Sequence, residues 1–468
     1  MKWAKAELGA AKLGDARLVR RASAMLAALA AHVAGTVVAS FFTEAERDAA
    51  FKFLSNAAVT VAALAQAIWN ACARRCREHA CVFVAVDGSS LTLTDAHRTR
   101  GTGPIGAQAQ KGRGMLVMSA VAITMSGVVL GLCGQTFWTR VERKIKADRA
   151  RRAFENKESH KWVVVAQQTI EAFREHAKGC VPWFLFDRGG DIGDVLAIAV
   201  SEGWKVTVRA MHNRRTQEAE TYELLRTKLL RQSELGAYNL KIPAGPRRCG
   251  RVARMSVRAC TVTLVIKHPW TGKKRSVTLQ AVLTQETSPA PQGESRVDWL
   301  LLTTAPVSTF AEARQVIDGY AHRWKIELFH NLWKSGRCHV EDSHLHTADR
   351  IQKWATLLAS VAVRSLRLTQ LARTEPETPA DVELTRDEID AILLLRKPTG
   401  YQMGDTPPIG LVVRWIAEYG GFTNKSKQTH PGKLVVARGL DLLGPAVGVV
   451  QALRNSQQKV PRARRGER

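Results

Sequence analysis

Between positions 320 and 334 the chain places Tyr320, Arg323, Glu327 and Lys334 among Trp324, Ile326, Leu328, Phe329, Leu332 and Trp333. At about 100° per residue the four polar side chains would fall within about 60° of one another on a helix, and the apolar ones would occupy most of the remainder. Only Lys325 interrupts the apolar side. A helix apolar over most of its circumference is buried. A carboxylate carried into such surroundings must be paired, hydrogen-bonded or bound to a metal. The ordinary alternative is an Arg323–Glu327 salt bridge at i,i+4 spacing on a solvated face.

Two further acids follow apolar runs: Asp87 after Val82 to Val86, and Asp187 after Val181 to Phe186. Continuous apolar runs of that length suit buried central strands. Both acids would then emerge at one edge of a sheet, where open α/β folds hold ligands. With Glu327 they form an all-oxygen anionic set of the kind hard divalent cations prefer. Phosphoryl transfer often uses two such ions about 3.5 to 4 Å apart, one activating water or a 3′ hydroxyl and the other stabilising the leaving oxygen. Asp191 and Asp194 read as helix-start residues favoured by the dipole, with aid to the metals as the alternative. Cys338, His339, His344 and His346 invite a zinc reading, but their spacing fits no familiar zinc pattern. Polar contacts or surface positions account for them better.

The elements that must position these residues read as α/β. Asp15 caps a helix running to about Gly35, Thr43 and Glu46 make a capping box, and a third helix covers Thr60 to about His79. After the first apolar strand come paired strands around 115 to 133, a basic connection from Arg140 to Lys161 and a helix from Trp162 to Lys178. The second apolar strand follows, then a helix near Asp191 to Glu202 and a strand at Lys205 to Arg209. Residues 211 to about 308 break the alternation with strands at Tyr238 to Ile242, Met255 to His268, Ser276 to Gln285 and Val297 to Thr303. A hairpin turn is expected at Pro269 to Lys274, and the block carries many arginines, Arg247 and Arg251 among them. A long helix from Arg350 to Leu371 follows, then a linker beyond Thr374 and helices near 385–395 and 407–418. The expected organisation is a helical region over 1–80, the first part of an α/β core over 81–210, a β-rich insertion over 211–308, the last part of the core with Glu327 over 309–372, and a helical C-terminal region with a basic tail over 373–468.

The chain has 468 residues, a formal net charge of +27 and a predicted pI of about 10.2. A polyanion partner is expected, with nucleic acid as the leading candidate and non-specific surface charge as the alternative. Eight cysteines without a C-x-x-C pair suit a reducing cytoplasm. Lys2, Lys5, Glu7 and Lys12 break up any export signal. Ala22 to Phe42 and Met115 to Gly134 are uncharged and of membrane-spanning length. His32 interrupts the first, and Thr124, Ser126 and Gly127 divide the second into two strands, so no membrane partner is expected.

The spacing Y-x2-R-x3-E-x6-K, met in full by Tyr320, Arg323, Glu327 and Lys334, resembles the DDE transposases of the insertion-sequence-four family of bacterial cut-and-paste elements. The resemblance extends through Leu13 to Arg17, Asp87 with Gly88, Asp187-Arg188, and Asp298-Trp299 with the leucines after them. It covers most of residues 10 to 370. It implies an RNase H-like catalytic core interrupted by a β-rich insertion, with helical N- and C-terminal domains. It further implies that Asp87, Asp187 and Glu327 bind two Mg²⁺ or Mn²⁺ ions, that Tyr320, Arg323, Lys334, Arg188 and Arg209 contact DNA, and that Trp299 and Trp324 stack against unpaired or flipped bases. A homodimer acting on inverted repeats and target double-stranded DNA, in the bacterial cytoplasm at the nucleoid, is the implied setting. Gly88 stands where relatives often have Thr, and Gly189-Gly190 replaces a more usual acidic-containing turn, so looser support of the acids is expected there. An RNase H-like nuclease or junction resolvase would use the same acids, and a DNA-binding regulator with a degenerate site is the non-enzymatic alternative.

Overall fold

The computed structural model describes residues 2–95, 98–106, 112–140, 153–218, 221–245, 248–267, 272–423 and 430–459. Most of the basic connection after Arg140, part of the turn expected at Pro269 to Lys274, Arg247 and the C-terminal arginines lie outside the described residues.

The N-terminal region is helical: α1 (Lys2–Leu8), α2 (Ala16–Ala31), α3 (Val37–Ser40), α4 (Glu44–Ser55) and α5 (Val61–Cys76). The capping residues act as their types dictate. Asp15 accepts the Arg17 N–H at 2.7 Å, Thr43 and Glu46 complete a capping box, and Thr60 caps α5. Helix α2 stops short of Gly35 because His32 turns extended and its N–H closes on the Ala28 carbonyl.

The sheet begins with β1 (Cys81–Thr92), β2 (Gly103–Pro104), β3 (Arg113–Ile123) and β4 (Val129–Trp138), and continues with β5 (Val181–Phe186) and β6 (Lys205–Arg209). Its central order is β4-β3-β1-β5-β6, with β1, β5 and β6 parallel and the β3 pairings antiparallel. A mixed sheet of this order, flanked by α6 (His160–His176) and α7 (Gly193–Ser201), is consistent with an RNase H-like domain. Side chains alternate across a strand. Val84 and Phe186 therefore face α6, where Trp162 meets Phe186 edge-on at 5.1 Å, while Phe83 and Trp183 share the opposite face at 5.3 Å. Strand β1 does not end at Val86 as its apolar run suggested. It pairs with β3 as far as Thr92 opposite Gly114, where any Cβ would lie 1.8 Å from the Leu91 carbonyl oxygen.

The β-rich block consists of β7 (Arg215–Glu218), β8 (Thr221–Leu224), α8 (Leu225–Leu230), β9 (Gly236–Ile242), β10 (Arg251–Lys267), β11 (Lys274–Glu286) and β12 (Asp298–Thr303). These strands continue the core sheet: β12 pairs antiparallel with β6, Leu302 opposite Val208, and with β11. A buried relay crosses that seam, from Trp183 Nε1 to Thr207 at 2.9 Å and from Thr207 to Thr303 at 3.0 Å.

The remaining helices are α9 (Phe310–His322), α10 (Lys325–Asn331), a π-helical turn over Leu332–Gly336, α11 (Ala348–Thr374), α12 (Arg386–Arg396), α13 (Ile409–Tyr419) and α14 (Lys433–Lys459). Helix α14 was not anticipated from the sequence. Its segment Lys433–Arg454 is long and apolar enough to cross a membrane by length and composition, yet Val436, Leu440, Leu443 and Val447 pack it into a core with α12 and α13. Ala22 to Phe42 is the end of α2, a loop and α3, and Met115 to Gly134 is the β3–β4 hairpin. A larger core joins the N-terminal helices, the sheet and α11.

Candidate active site

Asp87 and Asp187 come together by strand register. Val86 lies opposite Phe186 on parallel neighbours, so the next residue of each chain segment is an aspartate at the same level. Two glycines support them. The Gly88 N–H donates to Asp87 Oδ1 at 2.8 Å, and the Gly189 N–H to Asp187 Oδ1 at 2.7 Å. Gly190 turns tightly over Phe186, where a Cβ would lie 2.6 Å from the Phe186 Cβ. The Gly88 and Gly189 contacts are backbone bonds that any residue but proline could make, so the support a Thr or acidic side chain would add at these positions is not supplied by them. Burial first, then the negative charge of Asp187, pushes the Asp87 carboxyl up to about 6, with Glu327 adding to the rise. Arg323 and the Gly88 N–H oppose it.

The stripe expected on one helix is carried by three segments. Gly319 lets α9 lie directly on β1, since a Cβ there would be 2.5 Å from the Phe83 ring. After His322 the hydrogen bonding tightens, with the Glu327 N–H reaching the Trp324 carbonyl at 3.1 Å, before α10 continues. Tyr320 thus ends α9, Glu327 lies in the first turn of α10, and Lys334 lies in the π turn. The Arg323–Glu327 pair exists, Nη2 to Oε1 at 2.6 Å, but not on a solvated face. The Arg323 side chain is 12% exposed and its Nη1 also lies 3.4 Å from Asp87 Oδ2. Burial works against the guanidinium charge, but Glu327, Tyr320 and Asp87 raise its pKa.

Beside this pair, Tyr320 packs edge-on against Trp299 at 5.3 Å, and Arg209 lies over the Trp299 ring at 5.9 Å. Burial lowers the Arg209 pKa; Tyr320 opposes the fall and Arg188 adds to it, which places both at this end of the sheet. Trp324 is 59% exposed at the helix break. Lys334 stands apart from the acids, its Nζ 3.3 Å from Glu341, whose same oxygen accepts the Thr92 N–H at the end of β1. Lys325, the interruption in the apolar side, donates to the Gly127 carbonyl in the β3–β4 turn, and burial lowers its pKa to about 8.

Several positions take other roles. Asp191 neither starts a helix nor faces the other acids: α7 begins at Gly193, and Asp191 is buried, accepting the Met211 and His212 N–H groups at 2.7 and 3.1 Å and pairing with Arg214. Asp194 lies in the first turn of α7, as a dipole-favoured residue should. Cys338 is buried, its thiol pushed up to about 12, and it donates to the Leu358 carbonyl. Sequence reasoning missed Arg226 and Gln285, which bind the Asp298 carboxylate and fix the strand end that presents Trp299. Their only signal was an aspartate at the start of an apolar strand.

Among the described residues no group of three His, Cys, Asp or Glu side chains is arranged to hold a metal ion. Between Asp87 and Glu327 stands the Arg323 guanidinium, the cation that balances them in this arrangement. The donor set nevertheless suits a hard divalent ion. Asp87, Asp187 and Glu327 offer oxygen only, the donor type such ions prefer, and the Asp187 and Glu327 charges add to burial in raising the Asp87 pKa.

Two family models match the chain: Transposase DNA-binding over residues 1–59 and Transposase DDE domain over residues 159–364. The first spans α1 to α4, and the second takes in Asp187 and Glu327, with Asp87 between the two matches. Helices matched to DNA binding, and a sheet and helix matched to the catalytic domain, make this chain a DNA-binding transposase that belongs to the DDE class.

Proposed function

We propose that the chain is a cut-and-paste transposase of the insertion-sequence-four family, with Asp87, Asp187 and Glu327 as its catalytic acids. The observation that carries this reading is the register pairing of the two aspartate strands, with Glu327 joined to Asp87 through Arg323. The three acids would hold two Mg²⁺ or Mn²⁺ ions, which when bound supply activation of water or a 3′ hydroxyl and stabilisation of the leaving oxygen. Arg323, Tyr320, Arg188, Arg209 and Lys334 orient phosphates of the transposon end, since charge-assisted contacts fix the scissile bond without reading sequence. Trp299, already steadied by Tyr320 and Arg209, and the exposed Trp324 offer faces for unpaired bases.

In this reading residues 1–80 bind the end repeats, 81–210 and 309–372 form the RNase H-like core, 211–308 extend the DNA-binding surface, and 373–468 contribute to a homodimer that pairs two ends. The work is done at the nucleoid, in the cytoplasm. Cleavage and joining are each in-line attacks on a phosphodiester, so one set of acids serves them in turn. Asp87→Ala, Asp187→Ala and Glu327→Ala should each abolish Mg²⁺-dependent cutting of an end-bearing duplex while leaving its binding intact. Cleavage retained in all three variants would defeat the assignment. Cutting without joining of a pre-cleaved end to a target would make the chain a nuclease.

A further inference from the structure

Lys334 is partnered before any DNA arrives. Glu341 lies in a short 3-10 turn, Val340–Asp342, that follows His339, a residue in left-handed backbone (φ +48). Loop 32–36 clamps this turn from the N-terminal side. The Gly35 N–H donates to the Cys338 carbonyl at 3.1 Å, and a Cβ on Gly35 would lie 2.6 Å from the His339 carbonyl oxygen. The turn therefore has little freedom, and it aims the Glu341 carboxylate between two groups. Glu341 Oε1 accepts the Thr92 N–H at 2.6 Å and lies 3.3 Å from Lys334 Nζ. Both side chains are about three-quarters covered, Lys334 25% and Glu341 23% exposed. The backbone bond keeps the carboxylate in place whether or not the lysine stays with it.

We infer that Glu341 is a positioning residue that competes with the DNA phosphate for Lys334, setting where the ammonium waits and weakening its grip on DNA. A phosphate that takes Lys334 must draw it from a carboxylate that cannot follow, or share it at the cost of like-charge repulsion. This rests on the phosphate-binding role given to Lys334 above.

The test is a double-mutant cycle on the full chain, by fluorescence anisotropy with a labelled duplex carrying the inverted repeat that flanks the gene, repeated over a salt series. Glu341→Gln keeps an oxygen for the Thr92 N–H and removes only the charge. It should bind the duplex roughly fivefold more tightly at low salt, as a partly covered ion pair of about 1 kcal/mol allows. The tightening should shrink as salt is raised, because it comes from the charge of a partly covered carboxylate. In a Lys334→Met background the same substitution should change the affinity little. No tightening in Glu341→Gln, while Lys334→Met weakens binding, would overturn the inference and leave the lysine's role standing. Equal tightening with and without Lys334 would overturn it too, as a general field effect. Binding unchanged in Lys334→Met would remove the phosphate contact and this inference with it.

Discussion

Asp87 is held between opposed influences. Burial and Asp187 push its carboxyl from an ordinary 3.8 up to about 6, and Arg323 and the Gly88 N–H pull it back. Between those two values the folded chain binds more protons than the unfolded one, so stability falls as pH rises through the window. Above it, the ionised Asp87 costs about 3 kcal/mol. In metal-free buffer Asp87→Asn should therefore raise the unfolding free energy at pH 8 by up to ~3 kcal/mol and change it little near pH 4. Urea denaturation at both values checks this, and equal effects at the two would contradict it. Arg323 supplies the second residue-scale prediction. Its guanidinium occupies two of the acids, so Arg323→Gln should bind Mn²⁺ more tightly than the parent in DNA-free calorimetry. Weaker binding would show that the arginine holds the acids ready for the ion. Sequence spacing alone brought Arg323 beside Glu327, because i,i+4 neighbours meet on any helix. It could not reveal that Gly88 and Gly189 donate backbone N–H groups to the acids, or that Glu341 reaches both Lys334 and Thr92, because those bonds depend on where chain segments cross.

At the scale of elements, the break between α9 and α10 decides where Arg323 and Glu327 point, and the β3–β4 turn braces it. Gly127 has φ +96, and a Cβ there would lie 2.7 Å from Lys325 Nζ and 2.8 Å from the His322 ring. Gly127→Ala should destabilise the fold by about 1–3 kcal/mol through backbone strain and displacement of Lys325. It should also slow cleavage more than end binding, measured on the same preparation; a loss confined to end binding would show that the turn does not brace the acids. The apolar runs before Asp87 and Asp187 made both central strands legible, since they are short and rich in valine and aromatic residues, as strands buried on two faces are. The last residues of β1 were not legible, because Gly88, Ser89 and Ser90 carry no apolar signal and gain their place from pairing with β3. Helix α14 was hidden by Gly439, Gly444 and Pro445, which read as breakers. There the glycines permit close approach instead: a Cβ at Gly439 would sit 1.9 Å from the Ile416 carbonyl oxygen, and one at Gly444 would sit 2.4 Å from that of Ala31.

Across the whole molecule, buried charges join regions that look separate in the sequence. Glu7 of α1 pairs with Arg75 of α5 at 2.6 Å, and Arg364 of α11 with Glu388 of α12 at 2.8 Å. Arg337, just after the π turn, is fully covered and bonds to the Ala30 carbonyl, to Ser365 and to Asp441 of α14. One side chain thus ties the N-terminal helices, the long core helix and the C-terminal bundle to the segment that carries Lys334. Arg337→Met would strand the Ala30 carbonyl and Asp441, and should cost about 3–5 kcal/mol in urea denaturation. A loss under about 1 kcal/mol would show that the regions hold together without it. No periodicity in the sequence could announce these pairs, since the partners are far apart in the chain. The net charge of +27, in contrast, was readable at once and agrees with a DNA-binding match over residues 1–59.

The central claim is that Asp87, Asp187 and Glu327 share divalent ions once Arg323 yields its place. Anomalous diffraction from crystals grown with Mn²⁺ and an end-bearing duplex tests it most directly. The account predicts anomalous peaks bound by oxygens of all three acids, with the Arg323 guanidinium moved onto a phosphate. Peaks bound elsewhere, or Arg323 still bridging Asp87 and Glu327 beside an ordered scissile phosphate, would contradict it.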